Sequence, residues 1–326
     1  MDQDFWKGKN VLVTGADGFM GSHLTERLLE LGAQVSVYVR GNSVTGTGMH
    51  TLKNIGHIKE KLHRILAGDI ASEDAVSQIK TLKPQVIFHL AADAYVNRSF
   101  TQPLEVINTN TLGTLRVLHA GLTPDMKPES WLQRIVVTSS SESYGHSEEP
   151  ISETDQLNPS TPYGASKLAA DRFAYSYWNT FGLPIAIIRP FNTYGPRHTY
   201  DAPPKFISLA LQGKDITIYG EGMQTRDLVY VADMVEAFLV MGSHPKAVGQ
   251  AVNFGTGKDA KIIDLAKTII RLCGSQSKIV HLPPRLGEVK RLCCNPAKAK
   301  QLFGWEAKVT LEEGIQRNIE WAKNKK

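Results

Sequence analysis

The chain reads as an α/β protein: a doubly wound parallel sheet with helices on both faces, and a smaller, interleaved C-terminal lobe. Two observations predict this. From residue 10 to residue 190, short apolar runs rich in β-branched residues alternate with longer segments of helical periodicity. Such alternation builds a parallel sheet covered on both faces. After Pro190 the rhythm loosens and prolines accumulate at Pro196, Pro203 and Pro204, which marks longer connections and a change of architecture.

Taken in order, Asn10–Thr14 is a Val-Leu-Val run ending at Gly15 and reads as a buried parallel strand. Residues 18–31 place Phe19, Met20, Leu24, Leu28, Leu29 and Leu31 at helical spacing, and Gly32 stops that helix. Gln34–Val39 is the next strand. Arg64–Ala67 and 85–90 read as strands, with a helix over 71–82. A helix over 104–120, a strand at Arg134–Thr138, a helix over 163–181 and a strand at 185–189 continue the pattern. Short pieces follow at Ile216–Tyr219 and 228–231. A helix over 233–241, a strand at Ala251–Phe254 and helices near Ile262–Cys273 and 311–321 complete the chain. The sheet domain is expected to comprise 1–190 plus about 227–257, and the smaller lobe 191–226 plus about 258–326. No repeat at a solenoid period is present.

Composition narrows the class. Apolar residues make up 42% and charged residues 21%, as in an ordinary globular protein rather than a disordered one. The net charge of +5 comes without a Lys/Arg run interleaved with aromatics, so nucleic acid is not an expected partner. The lysines among residues 323–326 read as a solvated tail. Met1-Asp2-Gln3-Asp4 lacks the basic and apolar regions of a signal peptide. The longest apolar stretches, 185–188 and 237–241, fall far short of the roughly 20 residues of a membrane span. Three cysteines, Cys273, Cys293 and Cys294, suit a reducing cytoplasm, and the vicinal pair Cys293-Cys294 reads as structural. The histidines form no His-Glu-x-x-His or other ligand cluster, so no metal site is expected, and His146 and His198 read as loop residues.

Gly15-Ala16-Asp17-Gly18-Phe19-Met20-Gly21 carries three glycines between a strand and an amphipathic helix. This is the context of a Rossmann-type dinucleotide site. The first glycine permits the tight turn, the second lets backbone approach a pyrophosphate, and the third allows close packing of the helix. The helix N-terminus offers free N–H groups and a positive dipole end to the anion. At the end of the second strand, where NAD enzymes place an acid, stands Arg40, followed by Gly41-Asn42-Ser43. A cation there suits a 2′-phosphate, so NADP is favoured over NAD. Asp69, with Ile70, ends the third strand within reach of the adenine.

Tyr163 and Lys167 form Tyr-x-x-x-Lys, one helical turn apart and on one face. An ammonium beside a phenol lowers its pKa and lets it act as a base near neutrality. Upstream lies Thr138-Ser139-Ser140-Ser141-Glu142. Together with His89-Leu90-Ala91-Ala92, Asn110-Thr111-Leu112-Gly113-Thr114, the run from Arg189-Pro190-Phe191-Asn192 through Tyr194-Gly195-Pro196, and Gln224-Thr225-Arg226-Asp227-Leu228-Val229-Tyr230-Val231, these motifs span nearly the whole chain. It resembles an extended short-chain dehydrogenase/reductase of the nucleotide-sugar epimerase/dehydratase type.

The resemblance implies roles for the matching positions. Tyr163 takes the proton of the sugar's 4-hydroxyl as hydride leaves carbon 4, Lys167 tunes Tyr163 and binds the nicotinamide ribose, and Ser140 bonds the same hydroxyl. Leu90, Ala91, Ala92 and Pro190 line the cofactor. Asn192 and Arg226 contact the diphosphate side of the substrate, with Lys205, Tyr219 and Arg285 as further candidates. A recycled, tightly held cofactor, a nucleotide-sugar substrate and a homodimer are implied, the last through the helices over 104–120 and 163–181 with Leu112, Leu115, Leu118, Phe173, Tyr177 and Trp178.

The reaction turns on Glu142. Spacing two beyond Ser140 brings both to one side of an extended segment. A 4,6-dehydratase needs a base for the carbon-5 proton, whereas a 4-epimerase does not. Ser140-Ser141-Glu142 resembles the Thr-Ser-Glu of GDP-mannose 4,6-dehydratases. Thymidine-diphosphate-glucose dehydratases carry Asp-Glu instead, so Ser141 replaces an aspartate and leaves the proton donor for the departing hydroxyl open. The reading is therefore an NDP-hexose 4,6-dehydratase, ahead of a 4-epimerase. A UDP-glucuronate decarboxylase ranks lower because Arg226-Asp227 stands where those enzymes have Arg-Ala. A catalytically dead cofactor-binding regulator ranks last, because Ser140, Glu142, Tyr163 and Lys167 occur together.

Overall fold

A computed structural model describes residues 3–40, 52–285 and 287–324. Gly41-Asn42-Ser43 and the last two lysines of the tail lie outside the described residues. The strands are β1 (Asn10–Thr14), β2 (Gln34–Val39), β3 (Arg64–Ala67), β4 (Val86–His89), β5 (Arg134–Thr138), β6 (Ile185–Pro190), β7 (Asn192–Tyr194), β8 (Ile216–Tyr219), β9 (Thr225–Tyr230), β10 (Ala251–Phe254), β11 (Asp259–Lys261), β12 (Ile279–Leu282) and β13 (Arg291–Leu292). The main sheet has seven strands in the order β10-β6-β5-β4-β1-β2-β3. The pairs β1–β2, β1–β4, β2–β3, β4–β5 and β5–β6 are all parallel. The order reverses direction at β1, between β2 and β4. That switch point is where a doubly wound sheet opens a crevice at its carboxyl edge.

The chain divides into two compact units. The first comprises Met1–Ser140, Thr161–Arg189 and Val235–Val252. On one face of its sheet Leu12, Ile87, Ile135, Val137 and Ile187 pack with Val117, Leu118 and Ala174 from two helices. On the other face Phe88 meets Trp6 and Phe238 at 5.7 and 6.4 Å between ring centres. Apart from the edge strand β3, whose Arg64 and Ile65 are exposed, the strands read as largely apolar runs because both faces are dry.

The second unit comprises Ser141–Ser160, Pro190–Met234 and Asn253–Lys326. There β9 lies between β11 and β13 and also pairs with β7, while β8 pairs with β12. The helices Ala202–Leu211, Ile262–Cys273 and Leu311–Asn324 pack on one another.

Three local expectations require correction. Pro203 and Pro204 do not mark a loop: they sit in the first turn of Ala202–Leu211, where the amide hydrogens they lack have no intrahelical acceptor anyway. The helix expected over 71–82 begins at Asp74. The one expected over 104–120 starts at Pro103 and is interrupted by a π turn at Asn108–Leu112. The Thr114 hydroxyl donates to Asn110 O at 2.6 Å there, satisfying a carbonyl within the altered turn.

Candidate active site

The glycine turn is held by backbone contacts. Gly15 ends β1 at φ +68°, and a β-carbon there would lie 2.7 Å from Ala91 N. A β-carbon on Gly21 would lie 2.2 Å from Gly15 O. Neither neighbour can move aside, because both are main chain. The helix Phe19–Glu30 starts from Gly18 in extended conformation with no side-chain cap. The amides of Phe19, Met20 and Gly21 are therefore its uncapped donors, at its positive end. This cradle fits a dinucleotide pyrophosphate.

Around the turn, Asp17 is committed internally. Its carboxylate accepts from Asn54 N at 2.7 Å, Lys53 N at 3.1 Å and Ile55 N at 3.2 Å, bracing the segment before β3. Arg40 is exposed at the end of β2, and Asp69 is exposed with one oxygen accepting from Ala71 N at 3.0 Å. Ile70 is buried against Gly113. Leu90, Ala91 and Ala92 are half-buried just past β4, and Pro190 is buried at the end of β6.

The helix Pro162–Phe181 presents the next group. The Thr161 hydroxyl accepts from Gly164 N at 3.0 Å, Pro162 opens the first turn, and Gly182 closes the helix at φ +69°. Tyr163 is half-buried in the first turn and Lys167 is buried one turn on. Burial lowers the Lys167 pKa to about 8, and the Asp171 charge opposes this. Asp171 is itself fully buried and bonded to Arg189 Nε at 2.8 Å and to Arg172. Burial alone would raise its carboxyl, but the two guanidiniums hold it below the usual range. This pair pins the helix Pro162–Phe181 to β6. Ser140 is buried just past β5, and the neighbouring Ser139 hydroxyl has no hydrogen-bond partner among the described residues.

In the second unit, Ser141–Ser143 forms a single 3-10 turn. The extended geometry expected for Ser140 to Glu142 is thus replaced. Ser139 N still donates to Ile188 O at 2.8 Å, just past the end of β5 at Thr138, before the chain coils into this turn. Ser141 is buried. Glu142 keeps some open surface, yet desolvation raises its pKa; Arg226 lowers it, and Asp201 and Glu288 add to the rise. Arg226 is correspondingly lowered by desolvation and raised by Glu142, Glu288 and Asp201. One Arg226 nitrogen donates to Thr225 O at 2.8 Å and Val289 O at 2.7 Å, which fixes the guanidinium in place. Arg285 lies 3.9 Å from the Tyr219 ring centre and Lys205 5.9 Å from it, gathering two cations at one aromatic ring. Asn192 Oδ1 is buried with no partner among the described residues. A buried polar atom without a protein partner is rare and suits a ligand contact.

Sequence reasoning did not single out Asp171, Arg189, Asp201 or Glu288 individually. Asp171 had a signal, since it follows Lys167 at helical spacing. Asp201 and Glu288 had none, because only folding brings them to Glu142. His198 is buried in its loop, with Nε2 3.1 Å from Asp201. No group of three or more metal-ligating side chains occurs among the described residues, and no described helix is long and apolar enough to cross a membrane.

A glycine cradle at the switch point of a parallel sheet, with Tyr-x-x-x-Lys on the helix pinned to β6, defines a Rossmann-type short-chain dehydrogenase/reductase. The sequence profile of the GDP-mannose 4,6 dehydratase family matches residues 12–318. The chain belongs to the extended short-chain dehydrogenase/reductase family of nucleotide-sugar dehydratases and epimerases. It is 34% identical to a UDP-glucose 4-epimerase of Mycolicibacterium smegmatis, covering 96% of this chain and 98% of that one. It is 33% identical to the dTDP-D-glucose 4,6-dehydratase of Homo sapiens, covering 96% and 89%. The structure of MoeE5 in complex with UDP-glucose and NAD superposes with a TM-score of 0.84 at 30% identity, covering 96% of this chain and 98% of that one.

Proposed function

We propose that the protein is a nucleotide-sugar 4,6-dehydratase, converting an NDP-hexose to the NDP-4-keto-6-deoxy sugar. Glu142 carries the reading: a carboxyl held toward its neutral form by burial and steadied by Arg226. Burial makes its anion a stronger base and Arg226 favours the ionised form, which together suit a group that takes up and returns a proton. Tyr163, with Lys167 behind it, takes the 4-hydroxyl proton. The nicotinamide, when bound, accepts hydride from carbon 4 and returns it to carbon 6. The new ketone acidifies the carbon-5 proton, which Glu142 removes. The electron pair of that C–H bond forms the carbon 5–carbon 6 double bond as the carbon 6–oxygen bond breaks. The two protons collected by Tyr163 and Glu142 balance the two delivered, one to the departing hydroxyl and one back to carbon 5. Asn192, Arg226, Lys205, Tyr219 and Arg285 hold the nucleotide diphosphate side.

Glu142→Gln should still let bound substrate reduce the cofactor, yet slow dehydration roughly 100-fold, the scale of a lost general base. In heavy water the native product should carry deuterium at carbon 5. Normal turnover by the variant, or a 4-epimer without solvent label, would replace this reading by the epimerase. The 34% identical relative named as an epimerase keeps that second reading in view.

For the cofactor, Arg40 at the end of β2 favours NADP through its 2′-phosphate. NADP should bind more tightly than NAD, and Arg40→Ala should narrow the gap; comparable affinities in the native protein would overturn the NADP assignment, NAD being the cofactor in the MoeE5 complex. The protein is proposed to be a cytoplasmic homodimer. Three free cysteines suit a reducing compartment, and the dimer is taken up at the molecular scale below.

A further inference from the structure

We propose that His89 is a positioning residue: a neutral imidazole protonated on Nε2 that ties the glycine turn to the π turn of Asn110 and, through Ser166, to the backbone of Tyr163. It rests on membership of the cofactor-using family and not on the choice of dehydratase over epimerase. His89 ends β4 and is 2% exposed. Its Nδ1 lies 2.8 Å from Thr14 Oγ1 and its Nε2 lies 3.0 Å from Thr114 Oγ1.

The proton positions follow from the partners. A carbonyl can only accept, so the Thr114 hydroxyl spends its one hydrogen on Asn110 O. Thr114 Oγ1 must then accept from His89, which places a proton on Nε2. With Nε2 as donor, a neutral ring accepts at Nδ1, so the Thr14 hydroxyl donates to it. Thr14 Oγ1 is in turn free to accept from Ala91 N, at 3.1 Å. The result is a chain of fixed direction: Ala91 amide, Thr14 hydroxyl, His89 ring, Thr114 hydroxyl, Asn110 carbonyl. The Asn110 side chain continues it. Its Oδ1 accepts from Asp93 N at 2.7 Å, and its Nδ2 donates to Ser166 Oγ at 2.9 Å. Ser166 Oγ donates to Tyr163 O at 2.7 Å. Burial, with the Lys167 charge adding to it, pushes the His89 pKa down to about 3, in keeping with a ring that never charges.

One end of this chain stitches Ala91 against Gly15, in the cradle for the cofactor. The other reaches the turn that carries Tyr163. At 2% exposure His89 offers a ligand almost no surface; it acts by fixing the groups around it.

Two substitutions cut the chain on opposite sides. His89→Asn keeps an acceptor near the Nδ1 position but loses the donor to Thr114. His89→Gln keeps a donor near the Nε2 position but loses the acceptor for Thr14. In the full-length protein, His89→Gln should weaken NAD binding roughly tenfold, with cofactor reduction at saturating NAD within about twofold of native. His89→Asn should leave the NAD dissociation constant within about twofold but slow that reduction roughly tenfold. The reduction rate is read with UDP-glucose, dTDP-glucose and GDP-mannose in turn. Nitrogen-15 NMR of the native protein should show one buried histidine as the Nε2–H tautomer with no titration between pH 5 and 9. A charged or Nδ1–H ring, or two variants that alter both quantities alike or neither, would overturn the proposal. Failure of all three sugars to reduce the cofactor would count against the proposed reaction instead, since tautomer and NAD affinity are measured without sugar.

Discussion

Lys167 is an ammonium in surroundings that disfavour charge. Its pKa stands near 8 instead of 10.5, so the cation we propose to support Tyr163 is lost as pH rises through about 8. The rate at which bound substrate reduces the cofactor should fall across that range. The unfolded chain keeps its proton up to about 10.5, so it binds more protons than the folded chain between about 8 and 10.5, and stability rises there with pH. Activity and stability thus slope in opposite directions, which separates loss of the ammonium from unfolding. Asp171 is the charge that raises the Lys167 pKa. Asp171→Asn should therefore move the alkaline limb of the rate profile to lower pH; an unmoved limb would mean that another group sets it.

At the scale of elements, the strand–turn–helix from β1 to Glu30 concentrates its constraints in three glycines, and they are unequal. Gly18 has ordinary φ and its nearest clash is 3.0 Å. Gly21 leaves only 2.2 Å between a β-carbon and Gly15 O. Gly21→Ala must push the helix off the turn and widen the cradle. We expect NAD affinity to drop at least tenfold, on the scale of 1.4 kcal/mol per decade, with far-ultraviolet circular dichroism preserved; calorimetric titration with NAD tests it. An alanine variant that binds NAD as the native protein does would remove the packing role of Gly21. Elsewhere in the chain, Pro203 and Pro204 open a helix and Thr114 supports a π turn.

For the whole molecule, the first unit leaves apolar side chains on its helices. Leu104 is 78% exposed, and Ile107, Leu112, Phe173 and Tyr175 are exposed as well. Of the residues expected from sequence to face a partner, Leu118 instead belongs to the core, and Leu115, Tyr177 and Trp178 are half-buried. Exposed leucine, isoleucine and aromatic side chains on these helices suit an interaction surface, and the occupant we propose is a second copy of the chain across a two-fold axis. Light scattering at micromolar concentration should give a dimer, and Leu104→Glu combined with Leu112→Glu should give a folded monomer. A monomeric native protein would end the proposal.

Much of this protein was legible along the chain. Five strands, Asn10–Thr14, Gln34–Val39, Arg64–Ala67, Arg134–Thr138 and Ala251–Phe254, have the ends their residue types predict: all but the edge strand Arg64–Ala67 are largely buried apolar runs, and four of the five stop where a glycine or a charge follows. The glycine turn and the Tyr163–Lys167 pair were legible for a related reason: a tight turn and a single helix face are local geometry, set by residues a few positions apart. What surrounds Glu142 and His89 was not legible. Ser140 to Glu142 was read as a pleat, but β5 ends at Thr138 and Ser141–Ser143 coils into a 3-10 turn. The charges of Arg226, Asp201 and Glu288 that act on Glu142, and the hydroxyls of Thr14 and Thr114 that orient His89, come from far along the chain. Their burial and hydrogen-bond direction exist only once the chain has folded, because desolvation and proton placement depend on three-dimensional neighbours and not on sequence spacing.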